Sequence, residues 1–255
     1  MLTREELTEL ALEVTGMTRG RWNILSETLK DDAAMNRIMR DDWFRKPRDS
    51  EEAVREYYRE SDIWFLNTFN HGVGTLLQMS KGVPAAFSSW QKAFTAGLSV
   101  HAGSILDYGG GFLNDTGPLV LAGYRVVLAE VKGPVTEFLK RYVDLAGLRD
   151  QIGVLEVDGD CPLKGTYHGI SCFETLEHIL RPVELARHLH EHLSPGGPFA
   201  FSVSFGDTPH APYHIARNAA LGSGRVWLDQ LEMIGFSPLW QDPSGSSRRI
   251  WKSNT

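Results

Sequence analysis

The sequence predicts an α/β chain: a doubly wound, mostly parallel seven-stranded sheet with an antiparallel terminal hairpin, plus an N-terminal helical cap. Three observations carry that prediction. From Ser104 onward, short apolar runs alternate with amphipathic stretches, the rhythm of parallel strands joined by crossover helices. At the far end, two strand-like segments are joined by a loop too short for anything but an antiparallel pair. Before residue 104, apolar residues recur at helical spacing and strand character is nearly absent.

Residues 1–103 form the expected cap or lid. Leu7, Leu10, Ala11 and Val14 make one apolar stripe, and Ile24, Leu25, Leu29, Met35 and Ile38 suggest another. Asp49 and Ser50 with Glu52 resemble a helix start, running through Val54, Tyr57, Tyr58, Ile63, Trp64, Leu66 and Phe69 until Gly72 and Gly74 close it. A further helix from Ala85 to Ala96 leads into a link at Ala102-Gly103. Residues 104–255 form the sheet domain. Strands are expected at 104–108, 125–131, 152–157, 168–173 and 198–205, and helices around 116–122, 134–146, 182–193 and 226–234. The tail runs along Ser237–Gln241, turns through Pro243-Ser244-Gly245 and returns along Arg248–Lys252, with Arg248 and Arg249 read as surface charges.

Composition excludes several classes of function. The net charge of −6 argues against a phosphate-tracking surface, so nucleic acid is a poor partner. The two cysteines, Cys161 and Cys172, form no CxxC pair, which fits a reducing cytoplasm and predicts neither a disulfide framework nor a zinc knuckle. The start, Met1–Glu6, is polar, and no run approaches the roughly 18 apolar residues of a membrane span. A soluble, cytoplasmic protein without membrane contact is expected.

The most informative segment is Ile105-Leu106-Asp107-Tyr108-Gly109-Gly110-Gly111, followed by a second strand ending on Glu130. Glycines after a buried strand let backbone N–H groups approach a ligand without Cβ obstruction, and an acid at the next strand tip can accept hydrogen bonds from both hydroxyls of a ribose. Downstream come Val157-Asp158-Gly159-Asp160, then Gly169-Ile170-Ser171-Cys172-Phe173-Glu174-Thr175-Leu176-Glu177-His178, then Leu193-Ser194-Pro195-Gly196-Gly197.

In this order and register, residues 104–252 resemble a class I S-adenosylmethionine-dependent methyltransferase of the small-molecule type. The resemblance implies that Asp107, Gly109 and Gly111 wrap the methionine part of S-adenosylmethionine. It implies that Glu130 holds the ribose hydroxyls and that Asp158, ahead of Asp160, meets the adenine amine beside Gly159. It also implies that Phe173 and Glu174 complete the cofactor site, and that S-adenosylhomocysteine is the product. The family's third glycine is replaced by Leu113, so a wider or differently angled turn is expected, with Asn114-Asp115-Thr116 supplying polar contacts.

Methyl transfer from a sulfonium needs alignment and a dry pocket, and a base if the acceptor is a hydroxyl. His178, after the fourth strand, is one candidate base, or else a turn-stabilising side chain. His214 is the second, in a loop with Asp207, His210 and Tyr213 that follows the fifth strand and can touch substrate. Tyr57, Tyr58, Trp64 and Phe65 either close over the cofactor or pack the helices onto the sheet. Exposed aromatics of the cap could also form a homodimer interface. His188, His190 and His192 read as a solvated helix surface, Cys172 as a buried hydrophobe, and no metal site is expected. The histidines and tyrosines at the predicted mouth favour O-methylation of a small organic acceptor over N- or C-methylation. The alternatives are a non-catalytic cofactor-binding module and, behind it, an NAD-dependent dehydrogenase.

Overall fold

The fold is given by a computed structural model that describes residues 1–45, 50–98, 103–157, 163–205 and 214–254. The helical part opens with α1 (Arg4–Thr15), whose first turn is closed by Thr3 and Glu6 capping each other's backbone amides, followed by α2 (Arg19–Thr28) and α3 (Asp32–Trp43). The single stripe expected across Ile24–Ile38 is therefore two helices. The break comes where Asp31 turns its carboxylate onto the amides of Ala33 and Ala34.

Next come α4 (Glu51–Glu60) and α5 (Asp62–Lys81), where one helix ending at Gly72 and Gly74 was expected. Ser61 makes the break, its hydroxyl accepting from the amide of Trp64. The helix then runs through both glycines to Gly82. Gly72 has a packing role, since a Cβ there would lie 2.3 Å from the Cβ of Phe112. The short α6 (Ser89–Ala96) ends the helical part. The helix start expected at Asp49 and Ser50 is found at Ser50, whose hydroxyl accepts from the Ala53 amide (3.2 Å) at the head of α4, while Asp49 itself and the Ala102 end of the link lie outside the described residues.

The sheet domain follows its expected order closely: β1 (Ser104–Tyr108), α7 (Gly117–Leu121), β2 (Arg125–Val131), α8 (Pro134–Ala146), β3 (Ile152–Val157), β4 (Gly169–Phe173), α9 (Pro182–Glu191), β5 (Pro198–Ser202), α10 (Val226–Ile234), β6 (Phe236–Gln241) and β7 (Arg249–Ser253). Strand order is β3-β2-β1-β4-β5-β7-β6, parallel from β3 to β5, with β7 antiparallel to both β5 and β6. Order reverses between β1 and β4. In such sheets the crevice beyond the carboxyl ends of those two strands is the ligand site.

Alternation along the strands divides the core. Ile105, Val126, Leu128 and Ile250 pack with α1, α5, α6, α7 and α8 on one face; Leu106, Ala129, Ile170 and Phe201 pack with α9 and α10 on the other. A third, smaller cluster joins Trp43, Val54 and Tyr57 to Leu180 and Ile215. The front aromatics are mostly interior: Trp22, Trp43, Tyr57, Phe65 and Phe69 are buried, and Phe44 stays exposed. Cys172 is fully buried, as expected. Among the described residues, no helix is long and apolar enough to cross a membrane.

Candidate active site

Two corners meet at the crevice. In the first, β1 ends and the chain turns at Gly109, whose φ of 71° suits glycine; a Cβ there would also lie 2.4 Å from Thr175. The Gly109 amide donates to the carbonyl of Ala129 (2.7 Å), tying the turn to β2. Glu130 accepts from the amides of Gly111 (3.1 Å) and Val131 (2.8 Å). A carboxylate offers about four lone-pair positions, so two remain for a ligand. Leu113 keeps the left-handed backbone expected of a glycine (φ 61°), held there with its side chain fully buried. The turn is therefore not widened. Asn114 lies 3.4 Å from Thr75, Asp115 pairs with Arg248 (2.8 Å) and Thr116 bonds to Asp107, so all three turn to the protein.

The second corner follows β4. Glu174 adopts φ 46°, a strained backbone for a non-glycine residue, and its amide donates to the carbonyl of Ser202 (3.2 Å). A short 3₁₀ turn, Leu176–His178, then turns Glu177 and His178 inward. The Ile215 amide donates to the Glu177 carbonyl (2.9 Å), and the Asn218 side chain donates to the Ile179 carbonyl (2.7 Å). These bonds bring His214 to His178, with ring centroids 5.1 Å apart, and the edges of Tyr58 and Trp64 close on His178 at 6.2 and 5.7 Å. Glu177 is fully buried, and burial followed by the neighbouring Glu174 charge pushes its carboxyl well above the usual range.

Between the corners lies a cavity of about 100 Å³. It adjoins a second of about 340 Å³, the two sharing Tyr58, Tyr108, Val131, Val157 and Ile179. Together they come within the range of roughly 300–1,000 Å³ typical of small-molecule sites. Of the residues singled out from sequence, Gly109, Gly111, Glu130, Glu174, His178, Tyr58 and Trp64 line the first cavity. His214 is buried behind His178, and Tyr57 is buried in the small third cluster.

Asp107 lies beneath the pocket instead of lining it, its carboxylate accepting from the hydroxyls of Thr116 (2.6 Å) and Ser171 (2.8 Å). Burial pushes its pKa up to about 7. Phe173 also turns away from the cavity, to pack on Trp90 with centroids 4.6 Å apart. Arg248 is not the free surface charge expected: besides its Asp115 pair, it lies 5.2 Å over the ring of Phe173. Asp158, Gly159, Asp160, Asp207, His210 and Tyr213 lie outside the described residues.

Sequence reasoning passed over Thr68 and Thr175, which line the cavity, and gave no role to the buried Glu177 carboxylate. The only sequence signal for these was proximity of Thr175 and Glu177 to His178. The expected helix-surface histidines are half-buried and individually engaged: His188 lies 3.6 Å from Glu191, His192 is 2.7 Å from the Gly165 carbonyl and His190 is 3.1 Å from the Ser253 hydroxyl.

Fold and crevice together define a nucleoside-cofactor site at the switch point of a doubly wound sheet, with a left-handed glycine turn on one side and a carboxylate with open lone pairs on the other. The family model described as a methyltransferase domain matches residues 85–244, and the chain belongs to that family. Solved structures share the fold. The mitomycin 7-O-methyltransferase MmcR aligns with a TM-score of 0.54 at 13% identity, covering 91% of this chain and 66% of that one. An O-methyltransferase family protein from Burkholderia thailandensis gives 0.54 at 11% identity, over 87% and 70%. PigF with SAH gives 0.52 at 17% identity, over 92% and 69%. No curated protein sequence matches the chain.

S-adenosylmethionine, the cofactor of this enzyme class, fits the residues present. Glu130 has open lone pairs at the cavity wall that suit a pair of hydroxyls, Gly111 presents backbone where a Cβ would meet Thr68 at 2.8 Å, and the apolar Val131 and Val157 suit an adenine face.

Proposed function

We propose that the protein is an S-adenosylmethionine-dependent O-methyltransferase acting on a small organic acceptor. One observation carries this reading: the histidine pair, His178 facing the cavity and His214 behind it, beside a cofactor site bounded by Glu130 and Gly111. The bound cofactor supplies a methyl group already activated on a sulfonium. The chain's own residues bind, align and exclude water. Glu130 takes the ribose hydroxyls, and the turn at Gly109–Gly111 holds the methionine end. Tyr58 and Trp64 present aromatic surface to a cationic cofactor and keep the pocket dry. His178 and His214 activate the acceptor hydroxyl for attack, work that amine acceptors with a free lone pair do not need. The helices before residue 104 act as the cap over this pocket.

The test uses the purified full-length chain. Calorimetry should show saturable binding of S-adenosylmethionine and S-adenosylhomocysteine. Mass spectrometry should find a methyl ether after incubation with a panel of phenols and alcohols. His178→Gln should lower kcat by about 10²-fold or more while leaving S-adenosylhomocysteine affinity within about threefold. Transfer confined to amines, or a fully active His178→Gln enzyme, would overturn the reading.

A further inference from the structure

Glu177 poses a problem that methyl transfer alone does not solve. Its side chain is completely buried, and among the described residues neither carboxylate oxygen has a hydrogen-bond partner of good geometry, only the nearby Glu174 carboxyl and Ser204 backbone. A buried carboxylate so poorly partnered is costly unless a proton or a cation accompanies it. The groups around it favour a cation: Glu177, His178 and His214 are all buried, and one donor atom from each lies within 4.8 Å of the other two. Two imidazoles and one carboxylate are a donor set that suits borderline divalent ions such as Zn²⁺, Co²⁺ or Fe²⁺, and poorly suits Mg²⁺ or Ca²⁺, which prefer oxygen donors.

We propose that Glu177, His178 and His214 bind one divalent transition-metal ion. Bonds of about 2.1 Å put tetrahedral ligands about 3.4 Å apart, so binding draws the three groups together by no more than about 1.4 Å. The three ligands come from two segments, and the backbone already holds these in register through the Ile215 amide on the Glu177 carbonyl. Three protein ligands leave a coordination position open, the pattern of catalytic sites, and His178 lines the cavity. The open position therefore faces the acceptor.

Use of the ion in catalysis rests on the O-methylation reading; its binding does not. An acceptor hydroxyl that ligates the ion releases its proton to solvent and is held as an oxyanion. The oxygen then forms its bond to the methyl carbon as the carbon–sulfur bond breaks, and the sulfonium becomes a neutral thioether. The ion is unchanged. On this account the two histidines activate the hydroxyl through the metal.

The experiment strips the full-length protein with a chelator and titrates it with Co²⁺, reading the visible d–d absorption of a low-coordinate ion. One Co²⁺ per chain is expected, displaced by Zn²⁺. Glu177→Gln and His214→Gln should each weaken uptake by more than about tenfold, with S-adenosylhomocysteine affinity on the same samples reporting that the fold is intact. The pair His188 and His192, with ring centroids 4.7 Å apart on α9, is the competing site, so His188→Gln/His192→Gln should leave the absorption unchanged. No saturable absorption, absorption that survives in Glu177→Gln and His214→Gln, or absorption lost with the α9 pair would overturn the proposal. Co²⁺ bound as expected but no methyl transfer to any hydroxyl would leave the metal site standing and overturn the O-methylation reading.

Discussion

The two corners of the crevice use carboxylates in opposite ways. At the first, every acid is answered from within the protein: Asp107 by two hydroxyls, Glu130 by two amides. At the second, Glu174 sits on a strained backbone and Glu177 is buried with no hydrogen-bond partner of good geometry among the described residues. A satisfied acid fixes shape, and an unsatisfied one stores free energy that a ligand can release. The first corner is thus a rigid cradle, and the proposed chemistry is concentrated at the second.

The largest effect that would sharpen this contrast is expected at Gly109. Gly109→Val forces a branched side chain into φ 71° and onto Thr175, costing about 3 kcal/mol or more. Cofactor affinity measured by calorimetry should fall by over about 10²-fold. A variant that binds S-adenosylhomocysteine like the parent would break the idea of a rigid cradle.

A smaller change is expected at Glu130. Glu130→Gln puts an NH₂ group where two amides already donate, and it should weaken cofactor binding about 10- to 100-fold, the range of a lost charge-assisted hydrogen bond. An analogue lacking the ribose hydroxyls should lose that much against the parent and much less against the variant. Equal losses would place the ribose elsewhere.

The smallest effect concerns Asp107, whose carboxylate lies under both corners. Its folded pKa, about 7, stands above the ordinary 3.8, so the neutral form is the one the fold prefers. Its contribution to stability is complete below about pH 4 and is lost as pH rises through about 7. Asp107→Asn should therefore flatten the decline of Tm between those two values. An unchanged slope would mean that Asp107 is ionised in the folded protein and belongs to an electrostatic site.

The sheet was legible almost residue by residue, because Val, Leu and Ile runs between glycines have little choice but to be buried strands. The front helices were less so. Gly72 looks like a stop from sequence, yet it lies mid-helix because Phe112, far along the chain, needs the space. Arg248 reads as a surface charge until the fold sets it against Asp115 and Phe173. The same holds for the candidate site. Glycine turn and Glu130 are local signals, whereas the meeting of His178 with His214 depends on two hydrogen bonds between distant segments. Asp107 and Phe173 carry the family pattern in sequence, but only the orientation of their side chains shows that one supports the turn from below and the other packs on Trp90.

The division of the core limits how this enzyme can open for turnover. Helices α1, α2, α5 and α6 share one continuous interior with the sheet, and Phe112 threads the glycine turn into α5. A fragment starting at β1 would keep only α7 and α8 on that face and expose the rest of it, so the sheet half is not a portable module. The α3–α4 segment is different, seated on a cluster of only five buried side chains that reaches the histidine pair through Tyr58 and Trp64. On the proposed reading of these helices as a cap, it is the piece that lifts at least cost, and the rest serves as a wall.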